Sequence, residues 1–125
     1  MSVLVDSSIW VAYFRDEKGM DALEWLIDEG LVAINDLILA ELMPPIALRR
    51  LHKLATLLEQ LPKLSLNIDW SGITELQLIC LRNGINKVGI PDLIIAQNAM
   101  QHSTPLLTTD KHFHLLAKHV SLTLQ

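Results

Sequence analysis

The sequence predicts an α/β fold: a three-layer sandwich with a central, mainly parallel sheet and helices on both faces. Three observations carry this. Short apolar runs, "SVLVD", "LVAIND" and "TPLLTTD", read as buried strands. They alternate with segments whose apolar residues recur at helical spacing, and strands alternating with helices imply a parallel sheet covered on both sides. Each of the three runs also ends in an aspartate that precedes a helical segment. Ligands of such sheets sit beyond the carboxyl ends of the strands.

The elements follow in order along the chain. After "SVLVD", "SSIWVAYF" places Ile9, Trp10, Tyr13 and Phe14 at helical spacing, with Ser7 or Ser8 able to cap. "GMDALEWLIDEG" sets Met20, Leu23, Leu26 and Ile27 on one helix face, and Gly30 ends it. "LVAIND" is the second strand. "LILAELM" starts a helix that Pro44-Pro45 stops or kinks. A further helix is expected from about Ile46 to Leu61, before Pro62. "KLSLNI" reads as a short third strand, and "SGITELQLICLRNG" as an amphipathic helix closed by Gly84. "IPDLIIAQNAMQHS" opens with Pro91 in a first turn, where its missing N–H costs nothing. "TPLLTTD" is a buried strand, "KHFHLLAKH" a short helix and "VSLTL" a last, alternating strand.

At 125 residues the chain is expected to be one domain spanning 1–125, with a sizeable core. It is 50% hydrophobic and has five glycines and five prolines, with no repeat or low-complexity run. No apolar window approaches the ~18 residues of a membrane span. Asp6 interrupts what would be the core of a leader, so neither a signal peptide nor a membrane anchor is expected. The single cysteine, Cys80, excludes an intrachain disulfide and fits a cytoplasmic location. Between Ile79 and Leu81 it reads as buried and inert. The formal net charge of −4 argues against nucleic-acid binding by bulk charge, so any such binding needs local cations.

Four acids are candidates for a site: Asp6 and Asp110 at strand ends, Glu41 one turn into a helix, and Asp92 in the turn opened by Pro91. On a parallel sheet all four can converge on one edge. Converging carboxylates raise one another's pKa, and a hard cation such as Mg²⁺ relieves that conflict. Each acid also has a plain structural role open to it. Asp6 and Asp110 fit as helix caps, Asp92 as a partner of a helix dipole, and Glu41 as a surface acid. Asp36 also ends a strand before a helix, so local pattern does not separate it from Asp6; it is read as a cap.

"VLVDSSIWVAYF", "LILAELM", "GIPDLIIAQNAM" and "PLLTTDKHF" resemble, in this order and spacing, the four blocks of PIN-domain ribonucleases. The likeness is to the VapC-like toxins of prokaryotic toxin–antitoxin modules in particular, and it covers essentially the whole chain. It implies a PIN-like, Rossmann-like sandwich and metal-dependent cleavage of RNA with Mg²⁺ or Mn²⁺. It also implies a homodimer, and inhibition by a small cognate antitoxin laid across the active groove. Position by position, Asp6, Glu41, Asp92 and Asp110 match the family's acidic site, as direct or water-mediated metal ligands. Ser7 matches a hydroxyl supporting the first acid, and Thr108 the threonine of the last block. The resemblance selects Glu41 over Asp36. Pro44-Pro45 departs from it, because many members continue that helix.

Arg49, Arg50 and Lys53, with His52, form the densest basic cluster; they read first as a solvated helix face and second as RNA-phosphate contacts. His112 and His114 read as surface residues, and Trp10, Trp25 and Trp70 as core. The five histidines have no zinc spacing. Two other functions are compatible with acids at strand ends. One is a phospho-acceptor or regulatory Mg²⁺-binding module, for which Thr108 and Lys111 are the relevant pair. It usually has an acid pair at the first strand, where this chain has Asp-Ser-Ser. The other is a catalytically silent PIN-fold binding protein, against which the presence of all four acids argues.

Overall fold

The computed structural model describes all 125 residues. Three short strands, β1 (Val3–Val5), β2 (Val32–Ala33) and β3 (Leu106–Leu107), form a sheet in the order β2-β1-β3. Both pairings are parallel, with Val3 opposite Val32 and Val5 opposite Leu107. Successive side chains of a strand point to opposite faces. All three of β1's are buried, so both faces of the sheet are covered.

The cover is seven helices: α1 (Ser7–Phe14), α2 (Asp21–Asp28), α3 (Asp36–Leu48), α4 (His52–Gln60), α5 (Trp70–Arg82), α6 (Ile90–Gln101) and α7 (Lys111–Leu116). α3 packs on α1, α4 and α6, and α5 packs on α6. The apolar core is one cluster of 27 buried residues running from Val3 to Leu122. No helix is long and apolar enough to cross a membrane. The α/β class, the parallel sheet and the double cover thus agree with the sequence reading.

Several local expectations are corrected. "KLSLNI" and "VSLTL" are not strands. Each contributes a single parallel bridge, Lys63 to Ile34 and Leu124 to Leu106. Alternating leucines gave both segments strand character, but they lie along the sheet's two edges and pair only briefly. Pro44 and Pro45 do not stop α3, which runs through both. Their missing N–H groups would have bonded the carbonyls of Ala40 and Glu41, four residues back. All four residues are exposed, and Ile38, Leu42 and Ile46 hold the opposite side of the helix in the core. The expected helix from Ile46 to Leu61 is instead split, because Arg50 takes a left-handed φ of 55°. Trp10 is fully buried, but Trp25 and Trp70 are exposed and do not belong to the core. Gly30 and Gly84 do follow helix ends with positive φ, and Cys80 is buried.

Asp36 does not cap α3. Asn35 does: its Oδ1 accepts from the Ile38 N–H at 2.8 Å. Asn35 is fully buried, and its Nδ2 donates to Asn98 Oδ1 at 2.9 Å. Asn98 Nδ2 in turn donates to the Ser65 carbonyl at 3.0 Å. This chain ties the end of β2 to α6 and to the loop before α5. Asn98→Ala strands the buried Asn35 amide donor at a cost of about 1–3 kcal/mol, while the Ser65 carbonyl keeps His102 Nε2 at 3.0 Å. We expect a lower urea midpoint with an unchanged m-value; a midpoint equal to that of the parent would show that water replaces the lost partner.

Candidate active site

β1 runs directly into Asp6, which stands at the N-cap position of α1 but caps nothing with its side chain. Its carboxylate is 4% exposed and is held by two hydroxyls. Ser8 Oγ and Thr108 Oγ1 each donate to Asp6 Oδ2 at 2.9 Å. The same two hydroxyls accept backbone N–H groups from the segment after β3, Thr109 to Ser8 Oγ at 3.2 Å and Asp110 to Thr108 Oγ1 at 3.0 Å. Two short relays therefore connect the carboxyl ends of the neighbouring strands β1 and β3 through one carboxylate. Asp6 Oδ1 has only Ser7 Oγ, at 3.5 Å.

Asp110 caps α7, as the simpler sequence reading had it, through Oδ1 and the His112 N–H at 2.9 Å. The same oxygen meets His112 Nδ1 at 2.9 Å. Both bonds use Oδ1, so Oδ2 makes no hydrogen bond within the protein. Asp92 lies in the first turn of α6, behind Gly89 and Pro91. Asp6, Asp92 and Asp110 line one groove of about 720 Å³. Burial, then the charges of Asp110 and Asp6, push the Asp92 carboxyl above its usual range; the Gly89 backbone and His112 partly offset this. Glu41 retains solvent contact, yet it joins the same electrostatic group. Partial loss of hydration, then Asp6 and Asp92, raise its pKa, and the Ser7 hydroxyl opposes the rise.

The structure thus brings Asp6, Asp92 and Asp110 into one groove, couples Glu41 to two of them, and puts Ser7 and Thr108 beside them. Asp36 is elsewhere, an exposed residue 3.5 Å from Lys63 Nζ. The basic cluster is also elsewhere. Lys53 lines a separate apolar groove with Tyr13, Phe14 and Leu57, and Arg49 and Arg50 are exposed beyond the end of α3. The cations of the acidic groove are Arg15 and Lys18. The sequence reading missed both, since "FRDEKG" mixes two cations with two acids and shows no net basic signal. It also missed Ser8, whose bond to Asp6 is shorter than that of Ser7. The doubled serine after Asp6 was the available hint.

No group of three or more His, Cys, Asp and Glu side chains is arranged to hold a metal ion unaided. Burial first, and then the neighbouring carboxylates, raise the pKa values of Glu41 and Asp92, so their charged forms are disfavoured without a counter-charge. The donor set is nonetheless all oxygen, with an unengaged carboxylate oxygen on Asp110. Such a set fits a hard cation that keeps several of its own waters.

A family model described as PIN domain matches residues 3–119. The chain belongs to the PIN domain family. Solved structures agree with the assignment. The crystal structure of VapBC2 from Rickettsia felis, bound to a DNA fragment from its promoter, contains a chain 24% identical, with a TM-score of 0.76 over 100% of this chain and 98% of that one. A chain of VapBC-5 from Mycobacterium tuberculosis is 25% identical, with a TM-score of 0.67 over 98% and 96%. A chain of FitAcB from Neisseria gonorrhoeae is 18% identical, with a TM-score of 0.69 over 98% and 95%. No curated protein sequence gives a significant match. The likeness to PIN domains and VapC-like chains read from the four sequence blocks is borne out in family and fold.

Burial of Glu41 and Asp92, reinforced by neighbouring carboxylates, predicts a pH dependence for this PIN domain. The folded pKa values of Glu41 and Asp92 lie above their ordinary values, so the folded chain holds these protons more tightly than the unfolded one. Their contribution to stability is complete below the unfolded pKa values and is lost as pH rises through the raised ones. At pH 7 and without divalent ions, Asp92→Asn should raise Tm, and its Tm should gain less than the parent's on acidification toward the carboxylate range. A Tm below the parent's at pH 7 that returns to it on acidification would show that the Asp92 charge is stabilising.

Proposed function

We propose that this PIN domain is a metal-dependent endoribonuclease and the toxin of a toxin–antitoxin pair. The observation that carries the reading is the group of four acids at the carboxyl edge of the parallel sheet, in which Glu41 feels Asp6 and Asp92, and Asp92 feels Asp110 and Asp6. The family assignment supports a nuclease. The naming of the neighbouring structures as toxin–antitoxin complexes supports a cognate antitoxin partner and a cytoplasmic setting.

Asp6, Asp92 and Asp110 would hold Mg²⁺ or Mn²⁺, with Glu41 as a further ligand or as the group orienting water. A bound divalent ion supplies charge neutralisation at the phosphate and a more acidic water. The chain's own residues do the rest. Ser8 and Thr108 hold Asp6 through its Oδ2, leaving Oδ1 with only the Ser7 hydroxyl at 3.5 Å. His112 does the same for one oxygen of Asp110. Glu41, whose pKa is raised by partial burial and then by Asp6 and Asp92, is the acid we assign to take a proton from an attacking water.

Assembly as a homodimer is part of the proposal. Trp70, Leu78 and Leu81 are exposed and, by helical spacing, share one face of α5, an apolar face fit for a second copy. Light scattering above the 14.1 kDa of one chain would support it.

The experiment is incubation with single-stranded RNA in Mg²⁺, in Mn²⁺ and in chelator. Cleavage should require the metal and fall at least ~10²-fold in Asp92→Asn and Asp110→Asn, while Asp36→Asn stays active. Mn²⁺ at 100 times its dissociation constant should stabilise the parent by about 2.7 kcal/mol. Phosphorylation by a small phosphodonor, with RNA left intact in every metal, would favour a phospho-acceptor instead.

A further inference from the structure

The groove that holds the acids is not uniformly acidic. Asp6, Asp92 and Asp110 line one part of it, and the segment after α1 supplies Arg15 and Lys18 together with Glu17. Local backbone geometry puts them there. Arg15 closes α1, its N–H reaching the Val11 carbonyl at 3.1 Å. Asp16 then takes a φ of 53° and Gly19 one of 89°, so the chain turns along the groove before α2 begins.

Both cations are exposed, and neither forms an ion pair. The one Lys or Arg ion pair of the protein is Lys63 with Asp36. This is notable in a segment where Asp16 and Glu17 separate the two cations. An Arg and a Lys that leave nearby carboxylates unpaired are free to meet an anion from outside. A second cavity, of about 520 Å³, adjoins the first along Glu17–Met20 and carries Asp16, Asp21 and Glu24. Its acids repel a polyanion, so a strand lying on the acidic floor is favoured at Arg15 and Lys18 and opposed beyond them.

We propose that Arg15 and Lys18 bind the phosphates of the RNA strand adjacent to the one being cleaved, and so set where the strand lies across the acids. The inference rests on the ribonuclease reading of this groove. Arg15 suits a bidentate grip on phosphate oxygens and Lys18 a point-charge contact. Arg49, Arg50 and Lys53 take no part, since the structure puts none of them on the groove. The footprint is therefore short, two cations on one side of the scissile bond, and the overall charge of −4 does not prevent it.

The test is the salt dependence of binding. A labelled single-stranded oligoribonucleotide is titrated into full-length Asp92→Asn protein in Mn²⁺, with Arg15→Gln, Lys18→Gln, both together, Arg15→Lys or Lys53→Gln added. Each phosphate contact to a single strand contributes about −0.7 to the slope of log affinity against log salt. Between 50 and 200 mM salt each contact accounts for about a 2.6-fold loss, and two for about sevenfold. Arg15→Gln and Lys18→Gln should each flatten the slope by about 0.7, the double variant by about 1.4, and Lys53→Gln should leave it unchanged. Arg15→Lys should keep the slope while binding less tightly, because the charge persists and the bidentate geometry does not. In the active parent, Arg15→Gln should raise KM with little change in kcat. A parent that cleaves RNA while Arg15→Gln and Lys18→Gln keep the full slope would overturn the inference alone. Equal flattening by Lys53→Gln would overturn it too, since the effect would then be diffuse charge. A parent that neither binds nor cleaves RNA in any metal would overturn the ribonuclease reading, and this inference with it.

Discussion

The Asp6 carboxylate is the constraint on which the rest of the site depends. A carboxyl group on a residue that is 4% exposed is costly to bury unless its polar atoms are engaged. Here the engagement comes from Ser8, two residues along the chain, and from Thr108, about a hundred residues away. Thr108 can reach Asp6 only if β3 lies beside β1 in parallel and in the observed register, with Val5 opposite Leu107. Satisfying one buried charge therefore fixes the relation between two strand ends. It also fixes the start of α7, because the Asp110 N–H bonds Thr108 and the Asp110 side chain caps that helix. The hydrogen-bonding needs of Asp6 and the placement of Asp110 are parts of one solution.

Asp92 and Glu41 are placed by the opposite logic. The fold brings them toward Asp6 without hydrogen bonds enough to compensate, and their pKa values rise. What sets their position is apolar packing. Leu93, Ile95 and Ala96 bury α6 just behind Asp92, while Ile38, Leu42 and Ile46 bury α3 on either side of Glu41. A well-packed scaffold can hold a locally unfavourable charge arrangement, and such arrangements concentrate where chemistry is done. The same packing carries α3 through Pro44-Pro45: the core side of the helix is anchored before and after the prolines, and the unbonded carbonyls lie among exposed residues.

The sequence made the site more legible than the edges of the fold. The three true strands were visible because each is a compact apolar run ending in Asp, a pattern that reflects burial on both faces. "KLSLNI" and "VSLTL" carried the same composition, yet whether a strand extends beyond one bridge depends on neighbours that spacing does not reveal. Trp25 and Trp70 fitted apolar patterns, but a helix has more apolar positions than its core stripe can bury. Asp36 and Asp6 shared one local pattern and were separated by tertiary contacts: Asp36 faces Lys63 in solvent, while Asp6 faces two hydroxyls in the interior. Asn35 took the capping role because it could also reach Asn98, a partner that lies far off in sequence.

Charge density along the chain was the least reliable guide, for a reason that bears on function. Arg49, Arg50 and Lys53 stand out in the sequence because they are adjacent, but adjacency on a loop and the following helix start does not aim them at a groove formed by α1, α6 and the β3–α7 turn. Arg15 and Lys18 are hidden in the sequence by Asp16 and Glu17, yet the turn after α1 sets them on the groove of Asp6 and Asp110. For a protein of net charge −4, the field that a nucleic acid meets is decided within a Debye length of about 10 Å at 0.1 M salt, not by the total. On the proposed reading, Arg15 and Lys18 act locally against the Asp6, Glu17, Asp92 and Asp110 that line the same groove, which a larger basic cluster elsewhere does not do. The acids that cancel them in a sequence count fall partly on the neighbouring cavity, where they narrow the path open to a polyanion.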